Sequence, residues 1–402
     1  MTKRPSPDIL VIGGGVIGLR LALEVKRRAP GSRVTLIEKE RRCGLHASGR
    51  NSGVLHAGFY YAADSFKARF SREGNARLTD YCAERGLRIK RCGKLVVASD
   101  ASQLGTLEEL LRRAERNGVE LQKITASEAS EIEPKVKTHE RALYSPSTSV
   151  IDPAEVMSAF AGEAEAAGVD IRTGTAYLGR RNGSLLTGDG PIAAGYVVNA
   201  AGLYADRIAR DFGFAEHHTI LPFKGLYLES RPGSYALNTN IYPLPNLGTP
   251  FLGVHLTVTV DGRVTIGPTA VPALWREQYR LFDNFKIREF LQIFGLESRM
   301  FLGDRASFRS VALREIPKYY KPRMVRQAAA LAHGVRATDF KTWAPAGIRA
   351  QLVDLRDYRL ENDFRLEGDE RSLHVLNAVS PAFTCALPFA EFVADEIERL
   401  TR

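Results

Sequence analysis

The chain opens with a change of hydrophobic period. Residues 9–12 (ILVI) are an unbroken apolar run, and three glycines interrupt it. The apolar positions Leu21, Ala22 and Val25 then follow at the spacing of one helix face. This pattern predicts a short buried strand, a tight turn and a helix over residues 19–28. Pro30-Gly31 closes that helix, and RVTLIEK (33–39) is the next strand. A strand–helix–strand unit of about thirty residues is the length of a dinucleotide-binding unit.

Helical spacing returns in LTDYCAERG, in LEELLRRAERNG and over residues 152–168. In the last of these Asp152 is placed as N-cap, Pro153 opens the first turn and Gly168 follows the end. YVVNAAG (196–202) reads as a strand. From about 220 to 335 the period shortens to two. GLYLES, FLGVHLTVTV and RVTIGP alternate apolar and polar residues, as half-exposed antiparallel strands do, and VDGR (260–263) is a hairpin turn. A charged helical stretch comes next, then a strand at 373–379 and a helix at 386–400.

The fold class predicted is α/β, α+β overall. A Rossmann-like domain made of residues 1–90, 145–220 and 336–402 would be interrupted by an antiparallel-sheet domain made of residues 91–144 and 221–335.

Composition narrows the function. With 402 residues, 44% hydrophobic and 25% charged, the chain has the profile of a two-domain globular protein. The net charge of +10 suits anionic partners. Its basic clusters at 26–28 and 39–42 lack interleaved aromatics, so a nucleic-acid partner is not expected. Cys43, Cys82, Cys92 and Cys385 have no metal-ligand or C-x-x-C spacing. Neither a metal nor thiol chemistry is expected, and a reduced cytoplasmic setting fits. The first apolar run is broken by glycines and Arg20, unlike a leader or a membrane span.

Gly13, Gly15 and Gly18 satisfy G-x-G-x-x-G between the first strand and helix, with Val16 and Ile17 at the turn-to-helix junction. Such a turn lets a pyrophosphate approach the backbone and meet the amide-rich helix N-terminus. Glu38, followed by Lys39, ends the next strand twenty residues beyond Gly18, where a carboxylate meets ribose hydroxyls. This loop alone does not separate FAD from NAD.

A second polar, glycine-containing loop follows at once, HASGRNSGVLHAGFYY (46–61). Together with VVNAAGLYAD (197–206), GVHLTVTVDGRVTIGP (253–268), PAGIRAQLVD (345–354) and SPAFTCALPFAEFV (380–393), it resembles the FAD-dependent D-amino-acid-oxidase-like superfamily. Within that group the chain is most similar to the L-2-hydroxyglutarate oxidases and dehydrogenases.

The resemblance implies a glutathione-reductase-like FAD domain. Gly13–Gly18 would hold the pyrophosphate and Glu38 the ribose. Ser48, Gly49, Arg50, Asn51, Ser52, Gly53 and Val54 would run along the ribityl chain and the ring. Asn51 and Ser52 would meet the ring's polar edge, and Arg50 would offset phosphate charge. Ala200, Ala201 and Gly202 would pass close to the cofactor. Pro381, Ala382, Phe383 and Thr384 would set amides beside the pyrimidine side of the ring.

Oxidising a 2-hydroxy acid needs a base for the hydroxyl proton, work suited to histidine. His56 in the flavin loop and His255 on a sheet strand are the candidates, with base and electrostatic partner left open between them. His217 and His218 read as surface residues. Arg349 stands where amino-acid oxidases of the superfamily carry a carboxylate-binding arginine, and its alternative is a structural pair with Asp354. Lys224, Tyr60 and Tyr61 are weaker candidates for the far end of the substrate.

The chain departs from the hydroxyglutarate pattern at KGLY (224–227) in place of R-G-E-Y, at SPAFT (380–384) in place of S-P-G-x-T, and at Thr257-Val258-Thr259 in place of T-P-R. The last change removes an arginine that would face an anionic substrate.

The expected activity is oxidation of L-2-hydroxyglutarate or a related 2-hydroxy acid to the 2-oxo acid. Amino-acid or secondary-amine oxidation is the alternative, and a non-catalytic nucleotide-binding protein the remote one. Oxygen, a quinone or an electron-transfer protein would accept the electrons. The basic, aromatic segment 318–336 is a candidate peripheral membrane contact, with a packed surface helix as its alternative.

Overall fold

The computed structural model describes residues 6–245 and 252–402, so Phe251, first in the run FLGVHLTVTV, lies outside the described residues. The chain divides into two compact units. The first comprises residues 1–49, 154–221 and 349–402, and the second residues 50–153 and 222–348. Residues 50–90, which sequence patterning groups with the nucleotide-type elements, fall in the second unit. The helix Phe66–Glu84 buries Asn75, whose amide donates to the Leu55 carbonyl at 2.8 Å and holds the second loop to that helix.

The first unit is built on a six-stranded sheet. Its strand order is Leu366–Gly368, Ser372–Val375, Tyr196–Asn199, Ile9–Ile12, Val34–Ile37 and Asp170–Arg172. All pairs are parallel except the first. The apolar runs predicted as strands are the sheet's centre, with Leu10, Val11 and Leu36 completely buried. The first helix spans Val16–Arg28, three residues longer at its start than the apolar spacing indicates. It buries Leu21, Ala22 and Val25 as expected, and also Val16, Ile17, Leu19 and Leu23. Even Arg20 is covered: its guanidinium lies over Phe160 and donates to Glu163 at 3.0 Å.

The second unit is built on an eight-stranded sheet. Its order is Thr342–Trp343, Leu228–Glu229, Val264–Gly267, His255–Val258, Asn240–Pro243, Lys94–Val97, Arg141–Ser145 and Gln122–Thr125. The alternation read from FLGVHLTVTV and RVTIGP gives the antiparallel pair His255–Val258 and Val264–Gly267, joined through the turn at 260–263.

Alternation also gives the sheet two faces. Leu95, Val97, Ala142, Ile241, Leu256 and Val258 belong to one core cluster, which is closed by Met324, Val325, Ala328 and Leu331. Val96, Leu143 and Tyr242 face the other way, toward Phe59, Tyr60 and the helix Leu104–Asn117. The apolar stripe of segment 318–336 therefore lies under the sheet. Of its two readings, the packed helix is the one found.

Candidate active site

The glycine turn has the backbone that a phosphate loop requires. Gly13 has φ +110, and a Cβ there would sit 2.6 Å from the carbonyl oxygen of Ala200. At Gly18 a Cβ would lie 1.9 Å from the Gly13 carbonyl oxygen, so helix and turn approach only because no side chain stands between them. The N-cap Gly15 offers no side chain to the helix, and the first turn holds no acid. That turn is an anion-favouring terminus.

Glu38 is buried. Its carboxylate accepts from Gly14 N at 2.7 Å and from Glu40 N at 2.9 Å, which fixes it at the strand end beside the turn. Lys39 lies with its ammonium 5.8 Å from the centre of the Tyr204 ring.

The second loop begins against the first. Ser48, in the short turn of helix Ala47–Gly49, accepts Val16 N at 2.9 Å on its hydroxyl. The NAAG turn packs on the same glycines: Ala200 N donates to the Ile12 carbonyl, and Ala201 N to the Asn199 side chain. Asn199 is anchored in turn by the Ala205 carbonyl and by Nδ1 of the buried His374. Pro381, Ala382, Phe383 and Thr384 precede the helix Ala386–Thr401, whose N-terminus carries no side-chain cap and no first-turn acid. These features fit a bound dinucleotide: a cradle that a Cβ would fill, a buried strand-end carboxylate and helix termini without an acid in the first turn, within one unit.

The remaining flavin-loop candidates lie in the second unit. Arg50 stacks its guanidinium 4.2 Å from the Tyr279 ring centre and reaches the Ala346 carbonyl. Asn51 Oδ1 accepts Gly53 N at 2.9 Å, shaping the turn that leads through Ser52 into strand Val54–Leu55. Gly53 has φ +71, and a Cβ there would stand 2.2 Å from the Ile151 carbonyl oxygen.

His56 follows that strand and is buried. The carbonyl of Tyr60 accepts from Arg113, and those of Gly58 and Tyr61 from Asn117. The helix Leu104–Asn117 thus sets the position of the aromatic pair Phe59–Tyr60.

His255 lies on the sheet face shared with Tyr242. Its ring stacks on Tyr242 with centroids 3.6 Å apart, and Nδ1 lies 3.0 Å from the Gly253 carbonyl oxygen. A carbonyl only accepts, so Nδ1 carries the proton and Nε2 the lone pair. Burial pushes the imidazole pKa down to about 3. The Gly253 carbonyl opposes that shift, while the charges of Lys94 and Lys318 add to it.

Lys224 is buried near the end of strand His218–Gly225, 5.7 Å from the Tyr319 ring centre. Burial lowers its pKa to about 8.

Arg349 lies in the first unit on strand Gly347–Asp354. Strand alternation sets it on the face opposite Asp354, which Arg356 clamps instead. His218 is not at the surface. It is buried, with ring nitrogens 3.7–3.8 Å from carboxylate oxygens of Asp354, Glu361 and Glu367. The apolar residues of strand His218–Gly225 carry it inward, which residue type alone does not reveal.

Lys94 and Tyr242 have no place in the sequence reading. Their signal was strand phase: Lys94 falls in register with the inward-facing Val96 of the run KLVV.

The family model described as FAD dependent oxidoreductase (DAO) matches residues 8–396. The L-2-hydroxyglutarate dehydrogenase of Escherichia coli K12 is 34% identical over 410 residues, covering 98% of this chain and 93% of the relative. The human mitochondrial L-2-hydroxyglutarate dehydrogenase is 34% identical over 415 residues, covering 98% and 89%. Among solved structures, FAD-bound L-alpha-glycerophosphate oxidase from Mycoplasma pneumoniae aligns with a TM-score of 0.76 at 22% identity, covering 99% of this chain and 95% of that one. Glycine oxidase from Geobacillus kaustophilus aligns at 0.73 and 21%, covering 98% and 95%. With a family match over residues 8–396 and relatives 34% identical along nearly its whole length, the chain belongs to the DAO family of FAD-dependent oxidoreductases.

Proposed function

We propose that the chain oxidises L-2-hydroxyglutarate to the 2-oxo acid, with His255 as the base. The observation that carries this reading is the fixed tautomer of His255, whose Nε2 lone pair is held by the Gly253 contact and the Tyr242 stack. Bound FAD supplies the acceptor for the hydride that leaves Cα. His255 Nε2 takes the hydroxyl proton as the carbon–oxygen double bond forms. Burial keeps the imidazole neutral with its lone pair free, and the negative charge of an arriving carboxylate raises its proton affinity toward the range a base needs.

His56 is assigned as the electrostatic partner and Arg349 as the bidentate clamp for the carboxylate next to the reacting carbon. Gly13, Gly15, Glu38 and Ser48 would hold the dinucleotide end of the cofactor. Anaerobic bleaching of the flavin by a panel of 2-hydroxy acids, amino acids and secondary amines tests the activity. L-2-hydroxyglutarate should bleach it, and bleaching by the amines alone overturns the reading.

For the electron route we infer docking on an anionic lipid surface, with a membrane quinone as the acceptor. Among the described residues no helix is long and apolar enough to cross a membrane. Yet Leu281, Phe282, Ile287, Leu291 and Leu302 are each more than half exposed. Arg280, Lys286, Arg288, Arg299, Arg305 and Arg309 are exposed around them, against the exposed acids Asp283 and Asp304. Exposed apolar side chains interspersed along the chain with cations complement an anionic bilayer.

A further inference from the structure

The larger sheet carries a polar seam that proton transfer at His255 does not use. Lys94 pairs in register with Asn240, and Ile241 with Leu256, which sets Asn240 across from Thr257 and Tyr242 across from His255. Strand alternation puts all five side chains on one face. Lys94 is completely buried, its ammonium 4.6, 4.7 and 5.0 Å from the ring centres of Phe59, Tyr60 and Tyr242.

The chemistry of this cluster is one-sided. Lys94 Nζ and Tyr60 Oη are buried without a hydrogen-bond partner, and the equally buried hydroxyls of Tyr242 and Thr257 have none but each other. Asn240 is excluded from this set, because its amide donates to the Gly93 carbonyl and accepts from Val258 N. An amine and three hydroxyls buried together, with no carboxylate beside the amine, leave its donor hydrogens without a strong acceptor, a destabilising arrangement in a folded core. An arriving anion relieves it. Thr257 opens the Thr-Val-Thr run that stands where related enzymes read T-P-R, and Lys94, two strands away on the same face, supplies a positive charge in place of that arginine.

We propose that Lys94, with the hydroxyls of Tyr60, Tyr242 and Thr257, seats the second carboxylate of a diacid substrate. The assignment rests on the reading of a carboxylate substrate oxidised at His255. Lys94 and Thr257 lie one strand either side of Asn240, and each strand spacing is about 4.8 Å. Lys94 and His255 likewise lie on strands either side of Asn240–Pro243, so the amine and the imidazole are spaced on the scale of a short diacid. The aromatic walls around the Lys94 amine make a neutral tail in the same place costly, because it would leave the ammonium without an anionic partner.

The test uses the FAD-loaded protein and ligands that do not react. Glutarate and butyrate are titrated while the flavin difference spectrum is followed, with the parent chain and with Lys94→Met. Glutarate binding should weaken roughly 30-fold or more, the scale of a lost charge-assisted contact, and butyrate binding should stay as it was. Equal weakening of the two acids, or none, overturns the assignment. Thr257→Val and Tyr242→Phe remove donors without changing shape and carry the same expectation should Lys94→Met not fold. A parent protein that binds glutarate but is not bleached by L-2-hydroxyglutarate would overturn the proposed reaction while supporting the seat.

Discussion

The imidazole of His255 lies nearly parallel to the ring of Tyr242, 3.6 Å away and inclined by 19°. Stacking on one side and the Gly253 carbonyl at Nδ1 leave the ring a single orientation and a single tautomer. An imidazole held in this way would take up a proton without rearrangement. Replacing His255 by Gln or Ala should lower kcat about a hundredfold or more, the usual worth of a positioned general base. Rapid-mixing measurement of flavin reduction reads this directly. Reduction at near the parent rate would remove His255 from the mechanism.

Arg349 is expected to act on binding more than on turnover. A guanidinium fork holding the carboxylate next to the reacting carbon contributes about 1.5–3 kcal/mol. Arg349→Ala should therefore raise KM for every carboxylate substrate by about tenfold or more, and Arg349→Lys should recover part of it. Asp354 is clamped by Arg356, so a stability defect from a broken Arg349–Asp354 pair is not expected. Steady-state kinetics on two hydroxy acids and a melting curve separate these effects, and an unchanged KM places the arginine elsewhere.

Burial lowers the Lys94 amine to about 7, with the nearby Cys92 working weakly in the opposite direction. Two consequences follow, and both have a definite sign. An anion in the seat favours the ammonium, so KM for a diacid should rise as pH climbs through 7, while KM for a monoacid stays flat. The groups facing Lys94 are Phe59, Tyr60, Tyr242 and His255. The tyrosines are pushed well above their ordinary range and His255 to about 3, so none of them titrates in that window.

Stability is the second consequence. Below pH 7 the folded chain buries a full charge. Between 7 and the ordinary lysine value the unfolded chain binds the extra proton, so stability rises with pH there. Lys94→Met should therefore raise Tm most at pH 6 and less at pH 9, by a few degrees for a chain of this size. A lowered Tm at pH 6 would mark Lys94 as a stabilising core residue.

How much of this was readable from the letters depends on the kind of constraint. Gly13, Gly18 and Glu38 are legible because the turn tolerates no other backbone and the acid ends a strand at a fixed distance from it. The strands around Leu10 and Leu256 are legible because burial imposes a period. Lys94 and His218 are not. Both are polar residues whose burial comes from neighbours distant in sequence: Phe59, Tyr60 and Tyr242 around Lys94, and Asp354, Glu361 and Glu367 around His218. The boundary at residue 50 was hidden for a related reason. The loop 46–61 starts as part of the phosphate-turn unit through Ser48, and its later half is held by Asn75 and Asn117.

The phosphate turn offers a test that does not depend on turnover. A methyl at Gly18 would sit 1.9 Å from the Gly13 carbonyl oxygen, a backbone atom that has no room to move. Gly18→Ala should displace the helix Val16–Arg28 from the turn and yield protein with little or no bound FAD. Far-UV circular dichroism distinguishes a folded, colourless protein from an unfolded one. A yellow Gly18→Ala protein with parent FAD content would show that the turn does not hold the cofactor.

The exposed apolar residues at 281–302 make the membrane reading quantitative. Phe282 is 75% exposed, Leu291 61% and Leu302 77%, and the cations around them outnumber the acids. Inserting three such side chains into the headgroup boundary gains about 1.5–3 kcal/mol each at full burial, and nearby lysines and arginines add about 1 kcal/mol each on an anionic surface. Vesicles containing anionic lipid should therefore pellet the protein at low salt, and neutral vesicles should do so poorly. Phe282→Ser with Leu291→Ser should abolish pelleting while flavin reduction by substrate stays at the parent rate, because neither residue belongs to the sheet face that carries His255. Reduction by substrate and reoxidation by a soluble quinone would then be intact, and only reoxidation by a membrane-embedded quinone would slow. Pelleting that is equal on neutral and anionic vesicles, or absent from both at low salt, would leave this surface without a lipid partner.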